Sequence, residues 1–314
     1  MRLAIMTEPE RKPGRLFLHP RFWPSWLGYG FLRAAALLPL PVIWALGGVI
    51  GTLFYMLHAE RRHITRVNLR LCFPELDDRA CKILARRHFR EFMRATLTVP
   101  IAWWGSVRRL NRLVRCRNCH YLDDALAAGR RIILLAPHFV SLEIGGIYLA
   151  SSRHASFASF YKRPKNALLD YLISQGRTRF GGVMIERMEG LRPAVRSLRH
   201  GLAFYYLPDQ DQGVHGAVFA PFFGVPAATL TSLGRLAQLT GAIVLPCFSR
   251  QLPYGRGYEV FFRPPMTHYP SGNDVVDAQR MNQEIEAGVR EMPEQYFWAH
   301  RRFKTRPPGQ PPLY

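Results

Sequence analysis

A histidine and a carboxylate five residues apart, His138 and Glu143, stand directly after a run of apolar residues, Ile132-Ile133-Leu134-Leu135. Four consecutive apolar residues predict a strand buried on both faces. Pro137 ends it, because proline offers no N–H to a sheet ladder and holds Ala136 extended. Ser141 is positioned to cap a helix starting near Leu142, with Glu143 in its first turn, a favourable place for a carboxylate. The pair then sits at the carboxyl end of a buried strand, where open α/β sheets bind ligands. Its chemistry is general base catalysis. His138 takes a proton from an attacking hydroxyl, and Glu143 holds the other ring nitrogen. No Ser or Cys nucleophile is needed if the hydroxyl belongs to the substrate, and direct transfer from a thioester to an alcohol fits these parts. The plainer reading is an ordinary loop histidine beside an ordinary first-turn carboxylate.

Further along, Leu202 to Leu207 predicts a second apolar strand that also stops at a proline followed by polar residues, Pro208-Asp209-Gln210-Asp211. Two strands ending in chemistry at one edge is what an open α/β site predicts. A third strand, Ala158 to Tyr161, ends at Lys162-Arg163-Pro164, a cradle for phosphate or carboxylate. Ala167 to Ile173 reads as a helix, with Arg177 and Arg179 behind it. Pro221-Phe222-Phe223-Gly224-Val225-Pro226 reads as an apolar loop suited to line an acyl channel.

Taken in order, Arg70-Leu71-Cys72-Phe73-Pro74-Glu75, His138-x4-Glu143, Tyr161-Lys162-Arg163-Pro164, Leu207-Pro208-Asp209-Gln210-Asp211, Pro221-Phe222-Phe223-Gly224 and Arg302-Phe303-Lys304-Thr305-Arg306-Pro307 resemble the bacterial lipid A biosynthesis acyltransferases of the late lauroyl/myristoyl type. These are a branch of the glycerolipid acyltransferases with a His-x4-Asp/Glu box. The resemblance runs from about Arg61 to Pro307. It implies an α/β fold with a mixed central sheet flanked by helices, and catalysis by His138 with Glu143. Arg177, and after it Arg163, best match a functional arginine of the family, and Asp209 would pair with Arg177. Lys162 joins them as a substrate-binding candidate. By the same resemblance the donor is an acyl thioester on acyl carrier protein. The acceptor is a hydroxyl of a hydroxyacyl chain on an anionic, phosphorylated glycolipid, and the setting is the bacterial inner membrane. No cofactor or metal is expected. A lysophospholipid acceptor and a non-catalytic basic membrane-surface protein remain the alternatives.

The chain has 314 residues, a formal net charge of +21 and 48% hydrophobic residues. That is a well-filled core with a strong demand for an anionic partner. Membrane surface, phosphorylated lipid and acidic carrier all satisfy it; no nucleic-acid motif is present, so nucleic acid is not expected. Five cysteines, an odd number in a large chain, argue against a disulfide framework. Cys116-Arg117-Asn118-Cys119-His120 matches the c-type haem attachment spacing, and is read as chance. A zinc hydrolase is disfavoured because His138 and Glu143 lack a third ligand at motif spacing.

Residues 1–60 form a basic lead-in followed by a 24-residue stretch without charge, Ala34 to Leu57, expected as a membrane-anchoring helix about 34–57. It either spans or lies in the interface. Arg61, Arg62, Arg66 and Arg70 follow it and argue for a cytoplasmic catalytic domain, 61–307. Asp77 or Asp78 caps a helix from Ala80 to Leu97, with Arg86, Arg87, Arg90 and Arg94 as a solvated basic face. Residues 308–314 read as a disordered tail.

Overall fold

The structure is a computed structural model that describes residues 15–153 and 155–314, so Arg2, Arg11 and Lys12 of the basic lead-in lie outside the described residues. Nine strands are described: β1 (Val114–Arg117), β2 (Ile132–Leu135), β3 (Phe157–Tyr161), β4 (Val183–Glu186), β5 (Ala203–Tyr206), β6 (Ala217–Phe222), β7 (Val225–Leu230), β8 (Ile243–Gln251) and β9 (Tyr258–Phe262). Seven form one sheet in the order β1-β9-β8-β2-β5-β3-β4, and β6 and β7 form a separate hairpin. The sheet is mixed, as expected. β8, β2, β5, β3 and β4 run parallel, while β9 turns back antiparallel on β8 and β1 follows β9.

Helices cover both faces, which explains why β2 and β5 carry no charged residue and are fully buried. They are α1 (Trp23–Ala35), α2 (Leu40–Leu57), α3 (Ala59–Cys72), α4 (Asp78–Trp104), α5 (Val107–Leu113), α6 (His120–Ala127), α7 (Leu142–Ser152), α8 (Ala167–Thr178), α9 (Arg192–Arg199), α10 (Ser232–Thr240) and α11 (Asp274–Glu291). Alternating side chains separate the two cores. Ile133, Leu135, Phe204 and Tyr206 join one cluster, and Ile132, Leu134, Ala203 and Tyr205 the other.

Several elements depart from the sequence reading. The uncharged stretch is not one helix: α1 ends at Ala35, Pro39 caps α2, and the bend between them accommodates the two prolines. Asp77 does cap α4, accepting from the Ala80 N–H at 2.6 Å, but the helix runs on to Trp104 through Pro100. Arg90 and Arg94 are not a solvated face. They pack under α2, and Arg94 is 4% exposed. Pro221–Pro226 is the turn of the β6–β7 hairpin, with Phe222 wholly buried against Tyr296 and Phe303 and with Pro221 and Gly224 exposed. None of its residues lines the cavity at the sheet edge described below. Cys116 and Cys119 pair as a local disulfide, where only chance spacing was read. The C-terminal residues also differ from the expected disordered tail. The Tyr314 hydroxyl accepts from the Phe303 N–H at 3.0 Å and donates to Asn68 of α3.

Candidate active site

Register builds the site. Leu135 of β2 lies opposite Tyr206 of β5, and the strands are parallel neighbours. Each chain then runs one residue, a proline and one functional residue: Ala136-Pro137-His138 and Leu207-Pro208-Asp209. Equal offsets from a matched pair bring the two side chains together at the carboxyl edge. The Ala136 N–H still donates to the Tyr206 carbonyl at 2.8 Å, so the pairing persists past the strand ends. Asp209 Oδ1 then lies 2.7 Å from His138 Nδ1, and Asp209 Oδ2 accepts from the His138 backbone N–H at 2.8 Å. A carboxylate facing Nδ1 places the ring proton there, leaving Nε2 with its lone pair. The residues after α11 clasp this loop from the other side. The Phe297 N–H donates to the His138 carbonyl, and the Val140 N–H to the Gln295 carbonyl, each at 2.9 Å.

Glu143 does not orient His138. The helix it opens, α7, turns it toward α8 and α4, where the Arg177 guanidinium grips it from two sides. Nε donates to Oε1 at 2.9 Å and Nη2 to Oε2 at 2.7 Å. The Trp103 indole N–H adds a bond to Oε1 at 2.6 Å. The expected pairs are thus exchanged: Asp209 belongs to His138, and Arg177 to Glu143. Gly176 is what lets Trp103 approach, since a Cβ there would lie 2.3 Å from the indole. Ser141 makes no side-chain cap on α7; its hydroxyl is buried instead.

Burial pushes both carboxyls toward the neutral form, and in both cases the partner wins. Asp209 stays below the ordinary carboxylate range because the charge of His138 and its two hydrogen bonds outweigh burial. Glu143 stays below it because the charge and hydrogen bonds of Arg177, with Trp103, do the same. His300 lies near the dyad, its Nε2 accepting from the Asp211 N–H at 3.1 Å, and burial lowers its pKa to about 4. Asp211 is a structural group: it accepts from the backbone N–H and the hydroxyl of Thr305, tying the β5 loop to the C-terminal segment.

A cavity of about 620 Å³ opens at this edge, and His138, Glu143 and Arg177 line it. Leu142, Gly146 and Ala150 of α7 and Phe157 at the start of β3 contribute to its lining. Tyr206, Thr231 and Ser232 also line it, with the exposed Arg187 and Arg235 at its rim. Lys162 lines the cavity as expected. Arg163 does not; it turns to Glu186, 3.4 Å away, and to Tyr161. Among the described residues, no three His, Cys, Asp or Glu side chains gather as a metal site. The residues that sequence reading missed are Trp103, Tyr296 beside Asp209, and His300. No local spacing marks them, because each arrives from a distant segment.

The family model for bacterial lipid A biosynthesis acyltransferases matches residues 10–305. The chain belongs to that family. Among curated relatives, the lipid A biosynthesis lauroyltransferase of Escherichia coli K12 is 35% identical over 298 residues, covering 95% of this chain and 96% of the relative. The palmitoleoyltransferase of the same organism is 36% identical over 308 residues, covering 98% and 99%. Its myristoyltransferase is 31% identical over 298 residues, covering 94% and 91%. Membership makes the chain an acyltransferase and removes the non-catalytic alternative.

Proposed function

We propose that the protein transfers a fatty acyl chain from acyl carrier protein to a hydroxyl of a hydroxyacyl chain on a phosphorylated lipid A precursor, with His138 as the general base and Asp209 as its orienting partner. The observation that carries this reading is the Asp209–His138 contact at 2.7 Å, which leaves Nε2 as the ring nitrogen available to an incoming hydroxyl in the cavity. Nε2 removes the hydroxyl proton as the oxygen attacks the thioester carbonyl carbon. Asp209, ionised and buried, stabilises the imidazolium that forms. Backbone N–H groups at the start of α7 face the developing oxyanion. Collapse breaks the C–S bond, and the imidazolium returns its proton to the leaving thiolate, so that an ester and a free carrier thiol remain.

The part of the lining supplied by α7 suits the acyl chain. From Leu142 to Ala150 the helix rises about 12 Å, comparable to a medium-length extended chain. The basic rim residues Lys162, Arg187 and Arg235 suit phosphates of the acceptor, and the +21 charge suits an acidic carrier and an anionic inner-membrane surface. The catalytic domain then works on the cytoplasmic side, where the carrier is. Glu143 and Arg177 form the wall beside the base and lock α7, α8 and α4 in position.

The test is an acyl-transfer assay in detergent with acyl carrier protein thioester and a tetra-acylated lipid A precursor. Wild type is expected to transfer, and His138→Ala to lose several orders of magnitude in kcat while staying folded. Equal activity in the two proteins would remove the base assignment. Transfer to a lysophospholipid alone would keep the chemistry and replace the acceptor.

A further inference from the structure

Among the described residues, the helix long and apolar enough to cross a membrane is α2, 18 residues without a charged side chain. At 1.5 Å per residue it is about 27 Å long, close to the thickness of a hydrocarbon core. How it is fastened decides whether it crosses.

Its inner face is docked on α4 along its length. Gly47 and Gly51 press against the backbone of Arg94 and Arg90; a Cβ at either would fall within 2.6 Å of a backbone atom. Arg94 donates through Nε to the Trp44 carbonyl at 3.0 Å, stacks on the Trp44 ring and pairs with Glu91. Both ends are tied to the same body. At the start of α2, Arg109 of α5 binds the Ala36 and Leu38 carbonyls, and Gly255 packs on Pro41. At its end, Arg62 of α3 binds the Tyr55 and Met56 carbonyls at 2.6 and 2.8 Å. Arg90 and Arg94 lie against the middle of α2, so crossing would put two guanidinium groups at the bilayer centre, the costliest depth for charge. It would also carry α4 into the hydrocarbon, and α4 is packed against α7 and α8 of the catalytic body.

The outer face is a different surface. Val42, Leu46, Val49, Leu53, Met56 and Leu57 recur at helical spacing and are 43% to 78% exposed. No charged side chain interrupts them on α2. Trp23, Leu27 and Phe31, four residues apart on α1 and 59% to 75% exposed, add a second apolar strip. An apolar surface of this extent on the outside of a protein marks a contact. The occupant is set by charge: exposed Arg21, Arg33 and Arg61 lie among or beside these helices on a chain of net charge +21. Apolar contact combined with basic residues fits the headgroup boundary of an anionic leaflet. This pair of helices is also tied to the segment that follows the cavity residue Lys162. Asn166, which caps α8 just beyond Lys162 and Arg163, donates to the Ser25 hydroxyl of α1 at 2.9 Å.

We propose that α1 and α2 lie in the plane of an anionic phospholipid leaflet, with α2 immersed along its outer face and not spanning, so that the cavity rim at Lys162 stands at the headgroups of that same leaflet. An acyl chain can then pass from the leaflet into the cavity without crossing water. This inference concerns seating alone and does not depend on which acceptor is used.

The experiment places single cysteines at Leu37 and His58, on either side of α2, in the full-length protein, with wild type as the labelling background. A membrane-impermeant maleimide is applied to right-side-out and inverted inner-membrane vesicles. Both positions are expected to react from the same side. Reaction from opposite sides would overturn the proposal and make α2 a span. A bimane on Leu46→Cys, in vesicles of phosphatidylethanolamine and phosphatidylglycerol, should be quenched by lipids brominated near the headgroup and little by those brominated at the chain end. The reverse order would also overturn it. Finally, Val49→Glu with Leu53→Glu should lower the vesicle-bound fraction about tenfold or more while activity on detergent-dispersed substrate persists. Unchanged binding would show that this face does not meet the membrane.

Discussion

Asp209 and Glu143 are both buried carboxylates at the same sheet edge, and both are held ionised against burial; Glu143 lines the cavity, and Asp209 stands behind His138, which does. Their partners differ, and that sets what each can do. Asp209 faces an imidazole, a side chain able to take up a proton and give it back, so the pair can serve proton transfer. Glu143 faces a guanidinium, which keeps its charge at every accessible pH, so that pair can hold three helices together and transfer nothing. In the mechanism we propose, the same carboxylate chemistry serves proton transfer in one place and architecture in the other through the residue across from it.

The sharpest way to break this comparison is Asp209→Asn. The amide would favour the wrong ring tautomer, and kcat is expected to fall about 10³ to 10⁴-fold with the fold retained. A loss below tenfold in steady-state transfer would return the orienting role to some other group. Next comes Glu143→Leu, which strands the Arg177 charge and should lower stability by about 3 to 5 kcal/mol in urea titration. The double variant Glu143→Leu, Arg177→Met should recover most of that loss, because two apolar side chains replace a buried pair. A double variant no more stable than the single would show that the pair does more than neutralise itself.

Acid titration separates the two kinds of partner further. Asp209 and Glu143 have folded pKa values below their unfolded ones, so the stability they contribute is present above about pH 4 and lost as pH falls through the folded values. Buried His88 works at a higher pH. Its pKa is lowered to about 4, so the unfolded chain takes up its proton first, and stability falls as pH drops from about 6.5 to about 4. That loss amounts to roughly 3 kcal/mol, and His88→Gln should remove it in urea titrations at pH 7 and pH 5. The smallest effect is expected at Arg235–Asp274, a pair at 2.8 Å whose side chains are about half exposed. Asp274→Asn should change stability by less than about 1 kcal/mol, since water already solvates both charges.

Much of the framework was legible locally. β2 and β5 announce themselves as apolar runs ended by proline, and each stop is followed by the residue that matters, His138 or Asp209. The Asp77 cap and the apolar spacing of α4 were readable for the same reason: a cap and a periodicity act over a few residues. The exchange of partners was not readable. Glu143 is five residues from His138, and proximity in sequence suggested a pair, but α7 starts between them and points its first turn elsewhere. Phe222 and Phe223 offered apolar side chains without saying whether a cavity or a core would receive them.

The sequence by itself determined β2, β3 and β5 with their stops, the basic excess and the set of functional residue types, because backbone preference and hydrophobic period are properties of short segments. Only the tertiary structure decided that His138 meets Asp209, that Arg177 and Trp103 claim Glu143, and that α2 is bound along its inner face. Each of those contacts joins residues 34 to 71 positions apart, set by strand register and helix packing, and neither is written into any single stretch of the chain.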